Sequence, residues 1–517
     1  MKLITAHEAA KLIPDNSIVA IGGMGLSGWP EEIACAIRDR YRECGHPHSL
    51  YLNQGCDMGD WNVRGVSRLG EAGEGLVTQW TTAHLGTAYA LHPYVYSGKI
   101  NCHCLPQGVI VNLWREIAAG RPGLLTKVGL GTFIDPRYGG GKMNDSSHAD
   151  LVELVEFNGE EYLFYKAFKP DVALLRGTIA DENGNITFEN DSLIHESPDI
   201  AAAVKNNGGK VIVQVQYLAK SGTLNPKDIR IPGIMVDYVV VATDRAACWQ
   251  EEKNEYDPSI SGRLKKPLSA MQPMPFDARK VICRRAACEL RRGYLINQGV
   301  GVPAGISKVA NEEGCLNLVT PSSEAGAIGG VMSYAPSASF NVEAFVPHAD
   351  MFNYIDGGRL DLTCLGIGQV DRFGNNNVCK FGKKITGCGG FIDITSATKN
   401  IVFCGTFTSK AKIEVGNGRL SILEEGTPNK FVNDVESVTF SAKYASREQR
   451  VLYVTERCVF ELLDGVFTLT EIAPGIDLHR HILDLLPFSP AISPNLKVMD
   501  EGIFNEVWGG LKNYIDL

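Results

Sequence analysis

No apolar run in the sequence reaches the roughly 18 residues that a membrane-spanning helix needs, so no membrane span is expected. There is no basic block either. Fifty Lys plus Arg stand against 59 Asp plus Glu, a net charge of −9. Phosphate neutralisation supplies most of the affinity of nucleic-acid binders, so nucleic acid is excluded as a partner. An anionic ligand would have to be met by a local patch or by backbone N–H groups. The opening stretch MKLITAHEAAKLI lacks a charged n-region followed by an apolar h-region, so it is not a signal peptide. It reads as a helix, with Thr5 and Glu8 in capping-box spacing, and a cytoplasmic protein is expected. No Cys-x-x-Cys pair occurs among the 14 scattered cysteines, which are expected to be free thiols. Cys102-His103-Cys104 and Cys44-Gly45-His46-Pro47-His48 each hold three potential ligands. Neither completes a four-ligand set, and no metal is expected.

What remains is an ordinary globular composition, with 44% hydrophobic and 21% charged residues over 517 positions. That length suits two large domains or three to four small ones. Short β-branched runs without period-2 polarity read as strands buried on both faces. Examples are Ser17–Ile21, Val211–Val215, Tyr238–Val241 and Ile401–Cys404. Helical stretches such as Pro30–Arg42 and Ala278–Arg292 lie between them, so the alternation argues α/β with largely parallel sheets. Residues 171–185, DVALLRGTIADENGN, echo residues 361–375, DLTCLGIGQVDRFGN. In both, an apolar strand runs into an Asp-x-x-Gly-Asn turn. A second echo pairs Gly22–Pro30 with Gly299–Pro303. A duplicated plan follows: two open, mainly parallel α/β domains at 1–244 and 276–517, joined by a charged, Pro-rich, exposed linker at 245–275. Their interface is where an active site is expected.

Three glycine turns could carry chemistry. Gly22 and Gly23-Met24-Gly25-Leu26-Ser27-Gly28 follow a strand and precede a helix opened by Pro30. The pattern is G-x-G-x-x-G, but a dinucleotide site also wants an acidic residue closing the next strand. That strand, Ser49–Asn53, ends in Asn, with Asp57 beyond it, so the dinucleotide reading is weak. Gly299-Val300-Gly301 could face a phosphate or an acyl oxygen through backbone N–H groups. Gly389 and Gly390 are adjacent glycines, which suggests the close approach of a ligand or another backbone. The more pointed feature is Glu324, alone among small residues in Ser322–Gly330. A carboxylate there is expensive to desolvate without a partner or a task.

Several of these segments together resemble the class I coenzyme A transferases, in particular the propionate and short-chain acyl-CoA:acetate branch. Asp15-Asn16, Val19-Ala20-Ile21, Gly22-Gly23-Met24, Gly28 and Pro30 follow the family's N-terminal motif, with Met24 in place of Phe. Ser323-Glu324-Ala325-Gly326 follows its Ser-Glu-Asn-Gly motif, with Ala325 in place of Asn. Pro106-Gln107-Gly108 matches as well, and the likeness runs on to Glu471–Leu478. The resemblance implies that the N-terminal half is alpha-like and that the C-terminal half is beta-like and carries a nucleophilic Glu324. Gln107 would contact the reacting carboxyl. Gly299, Val300, Gly301, Gly389 and Gly390 would line the CoA channel or hold an oxyanion, and Lys410 would meet CoA phosphates.

The implied activity is reversible CoA transfer between a short-chain acyl-CoA and a free carboxylic acid of two to about four carbons. It would run by ping-pong through a glutamyl–CoA thioester, with no cofactor beyond the substrate CoA. A homo-oligomer, dimer or tetramer, is expected. The alternatives are an acyl-CoA hydrolase using the same Glu, a non-catalytic acyl-CoA-binding protein and, on the first glycine turn alone, a nicotinamide-dependent oxidoreductase.

Overall fold

The structure is a computed structural model that describes residues 1–517 except 57, 334–336, 446–447 and 517, together with the side chain of Ala270. Two large sheets organise the chain. The first draws eight strands from residues 2–241 in the order Lys2–Leu3, Tyr238–Val241, Lys210–Val215, Val172–Arg176, Ile18–Ile21, Leu50–Gln54, Val77–Thr82 and Asn101–Cys104. Every neighbouring pair in it is parallel. The second draws ten strands from residues 295–498. At its centre Thr320–Ser322, Leu295–Gln298, Leu362–Gly366, Asn400–Cys404 and Arg450–Val454 run parallel, flanked by antiparallel additions and, at one edge, by Ala491–Val498 pairing parallel. The central strands are buried along most of their length, as their unalternating apolar runs require.

The echoed turns are structural equivalents. Asp181 Oδ1 accepts from the Asn183 and Asn185 amides, and its Oδ2 from Asn185 Nδ2 at 2.9 Å. Asp371 does the same with Phe373, Asn375 and Asn375 Nδ2. Each Asp closes a strand that pairs antiparallel with one short strand and parallel with another.

The Thr5–Glu8 capping box forms around helix Ala6–Lys11. The helix expected over Ala278–Arg292 stops at Ala287. There Arg291 turns back to donate to the Cys288 and Leu290 carbonyls, and Gly293 takes a positive φ. Within 245–275 the first part departs from the expected exposed linker, while residues 262–269, 272, 273 and 275 are exposed as expected. Gln250, Glu251, Glu252, Ser259 and Ile260 are buried. The Arg176 guanidinium donates to Trp249 O, Gln250 Nε2 donates to Asn190 O, and the Ser337 hydroxyl donates to Glu252. The stretch around 247–260 is thus packed against the body of the protein, whereas Lys265, Lys266, Pro267, Pro273 and Pro275 are exposed.

The halves interpenetrate. Cys379, Ile385, Cys388 and Ile392 complete the apolar core of the first, and Val111 joins the core of the second. Main-chain bonds cross between them at Leu85 N–Thr386 O, Gln107 N–Gly389 O and Phe133 N–Val438 O. No helix among the described residues is long and apolar enough to cross a membrane.

Candidate active site

In parallel α/β sheets, ligands bind beyond the carboxyl ends of the strands. Those ends face each other across the interface here. Met24 and Gly25 follow strand Ile18–Ile21, Cys56 follows Leu50–Gln54 and His84 follows Val77–Thr82. From the other half, Gly299 follows Leu295–Gln298 and Glu324 follows Thr320–Ser322. All line one cleft of about 450 Å³.

Glu324 sits at the tip of a tight hairpin, where Thr320–Ser322 pairs antiparallel with Ala327–Ile328. Gly326 makes that turn possible. Its φ is +105°, and a Cβ there would lie 1.9 Å from the Val346 carbonyl oxygen, so only glycine fits. The side chain is half-buried on the cleft floor. Burial pushes its carboxyl above the ordinary glutamate range, partly offset by His348, then His84, then the hydrogen-bonding amide of Gln107. The Gly326 N–H is bonded to Ser323 O.

Gln107 comes from the other half. Strand Asn101–Cys104 ends at Leu105-Pro106, and Gln107 is the first residue of helix Gln107–Ala118. It is fully buried. Its Nε2 lies 2.9 Å from His348 Nε2, and His348 Nδ1 lies 2.7 Å from Glu196 Oε2. Burial alone would raise the Glu196 carboxyl, but the His348 imidazole, with His195 adding to it, holds it below the usual range.

The glycine turns divide. A Cβ on Gly390 would lie 2.6 Å from Glu324 Oε2, so this backbone packs directly on the carboxylate. The Gly389 N–H is not available to an oxyanion, because it donates to Ala83 O at 2.8 Å. For the Gly390 N–H, no backbone or side-chain acceptor is seen among the described residues. Gly299 and Val300 line the cleft and Val300 is exposed there, while Gly301 adjoins them with φ +89°. In the first turn Gly25 lines the cleft, whereas Gly22, Gly23 and Gly28 back it. The Gly23 N–H donates to Glu196 Oε1 at 3.3 Å, and Gly22 and Gly28 pack on Ser197 and His195. Asp57 lies outside the described residues, and strand Leu50–Gln54 closes with Gln54 donating to Cys56 O. Lys410 is exposed and is not part of the cleft wall; the lysine that lines it is Lys384.

Sequence reasoning missed His84, Glu196, Glu252 and His348, together with Trp61 and Tyr89 of the cleft wall. No local motif marks them. The available signal was scarcity, since the chain has only 11 histidines. The cysteines are free thiols. Cys102 and Cys104 are core residues, and His103 bonds Ala149 O. His46 and His48 meet Asp15 on the surface, giving three potential ligand atoms within 4.8 Å of one another.

Fold and cleft together define a two-domain α/β enzyme whose site is closed by both halves. A coenzyme A transferase family model matches residues 3–242. The chain is 56% identical to caffeate CoA-transferase of Acetobacterium woodii, over 99% of this chain and 98% of that protein. It is 41% identical to acetate CoA-transferase YdiF of Escherichia coli O157:H7, over 97% and 95%. The crystal structure of the YdiF acyl-CoA transferase apoenzyme from that organism superposes with a TM-score of 0.93 at 40% identity, covering 98% and 97% of the two chains. A thioester complex of YdiF with CoA gives 0.92 at 39%, with the same coverage. The chain belongs to the coenzyme A transferase family, in its class I.

Proposed function

We propose that this CoA transferase moves coenzyme A between a short acyl-CoA and a free carboxylic acid through a covalent thioester on Glu324. The observation that carries the reading is the placement of Glu324: one carboxylate on the cleft floor, touched by the Gly390 backbone and facing the Gln107 amide from the opposite half. A Glu324 oxygen attacks the thioester carbonyl, the C–S bond breaks, and CoA thiolate leaves a mixed anhydride. The thiolate attacks the glutamyl carbonyl, the first acid departs, and Glu324–CoA remains. A second acid reverses both steps. The first attack is uphill, because a carboxylate is about 4 pK units less basic than a thiolate, on the order of 5–6 kcal/mol. Burial that raises Glu324 narrows this gap. Binding of the long CoA chain and donors at the developing oxyanion supply the rest. The Gln107 amide and the Gly390 N–H are the donors in reach; Lys384 stands at the cleft for CoA phosphates, in place of Lys410.

For the acid, Met24, Cys56, Leu193 and Ala325 form a small buried apolar cluster beside the nucleophile, which suits acids of two to four carbons. A second reading rests on Trp61 and Tyr89 in the cleft wall and on the relative named caffeate CoA-transferase: an aryl-propenoic acid as acceptor. Loading the enzyme with propionyl-CoA and comparing kcat/KM for acetate, propionate and cinnamate separates the two. Omitting the acid tests hydrolysis, since a hydrolase would release free CoA continuously, whereas a transferase would release one equivalent of the donor acid and retain the CoA on Glu324.

A further inference from the structure

Three helices point their N-termini at one buried spot. Gln107 opens Gln107–Ala118, His348 opens His348–Asp356, and Glu196 is the residue that caps Ser197–Asn206. Farther along, Arg115 pairs with both Asp199 and Asp350, so one guanidinium ties the three helices together. The three leading side chains form a chain that crosses between the halves. Glu196 is held by the Gly23 amide and bonds His348, which in turn bonds Gln107. All three are at most 1% exposed.

The chemistry of this chain restricts Gln107. A carboxylate only accepts, so the Glu196 bond places a proton on His348 Nδ1. His348 Nε2 then admits a single orientation of the amide. A bare Nε2 requires the amide N–H, and a protonated Nε2 requires the amide oxygen. Besides His348 the amide's side-chain partner is the Glu324 carboxylate, and Gln107 Oε1 makes no hydrogen bond. In the structure the Gln107 nitrogen faces His348, and its second hydrogen remains for the Glu324 carboxylate or the acyl oxygen that replaces it.

We propose that Glu196 and His348 are positioning residues for the reaction, setting which atom of the Gln107 amide faces Glu324. This rests on the glutamyl-thioester reading above. Neither residue hydrogen-bonds the nucleophile, so beyond the direct charge effect of His348 on Glu324 their influence passes through Gln107.

A double-mutant cycle tests this. The readout is the single-turnover rate of CoA adduct formation on the full chain, measured by intact mass with propionyl-CoA and no acceptor acid. His348→Ala and Glu196→Gln should each slow the adduct about 10- to 100-fold, the range for a misplaced reacting group, with CoA affinity unchanged. In a Gln107→Ala background the same changes should cost less than about twofold. His348→Gln, which keeps a polar atom near the Nε2 position, should recover part of the loss. Equal losses in both backgrounds would overturn the proposal and assign His348 to a direct charge effect on Glu324 or to folding. No loss in either background would also overturn it. If His348→Ala does not fold, the cycle is read from Glu196→Gln, which preserves shape. Failure of the wild-type chain to form any adduct would instead overturn the thioester reading itself, so the two failures are distinct.

Discussion

Burial acts on Glu324 in two directions. It raises the carboxyl's pKa, which improves the ionised form as a nucleophile and makes that form costly to hold. A carboxyl raised in the folded state adds stability that is fully present below its unfolded pKa and is lost as pH rises through the folded one. At neutral pH the wild type has lost that contribution. Glu324→Gln should therefore melt higher than wild type at neutral pH, with the gap closing as pH falls below the ordinary glutamate range; thermal melts across pH check it. For the same reason, the acid limb of adduct formation should lie above that range. Glu324→Asp should be strongly impaired, because one methylene less withdraws the carboxylate from attack distance. Gln107→Ala should lower turnover about 100- to 1,000-fold, the cost of one lost oxyanion donor. An unchanged rate would assign Gln107 to packing.

At the scale of elements, local chemistry was legible and partners were not. The Asp-x-x-Gly-Asn turns could be read because most of the bonds that Asp181 and Asp371 accept come from amides within four residues. Replacing either by Ala removes the acceptor of three part-buried donors and should cost about 1 kcal/mol in denaturant unfolding. Glu324 could be read as unusual because small residues surround it in sequence. Its hairpin could not, because strand Ala327–Ile328 is two residues long and is defined by pairing across the sheet. Gly326→Ala should displace the hairpin tip, given the clash with Val346 O, and lose activity well before it loses the fold. Circular dichroism beside a transferase assay separates the two. Within 245–275 the stretch around Glu251 and Glu252 was misread because charge usually marks exposure, whereas these two carboxylates are buried.

At the scale of the molecule, the site exists only because two related halves face each other by their strand ends. Gln107 and His348 are 241 residues apart, and Glu196 and His348 are 152 apart. No local reading of the sequence joins them, and the family likeness carried Gln107 and Glu324 without their supporting side chains. The global charge of −9 opposes an anionic substrate, so recognition rests on the cleft. The proposed storage of CoA on one residue between half-reactions predicts parallel initial-rate plots at several acceptor concentrations. Intersecting lines would mean that both substrates bind together.

The most direct measurement is the mass of the protein after incubation with acetyl-CoA or propionyl-CoA in the absence of acceptor, followed by peptide mapping. A covalent CoA adduct on Glu324 is expected, absent in a folded, CoA-binding Glu324→Ala variant that has lost transferase activity by several orders of magnitude. An adduct on another residue, or substantial transferase activity in Glu324→Ala, would contradict the assignment of the nucleophile.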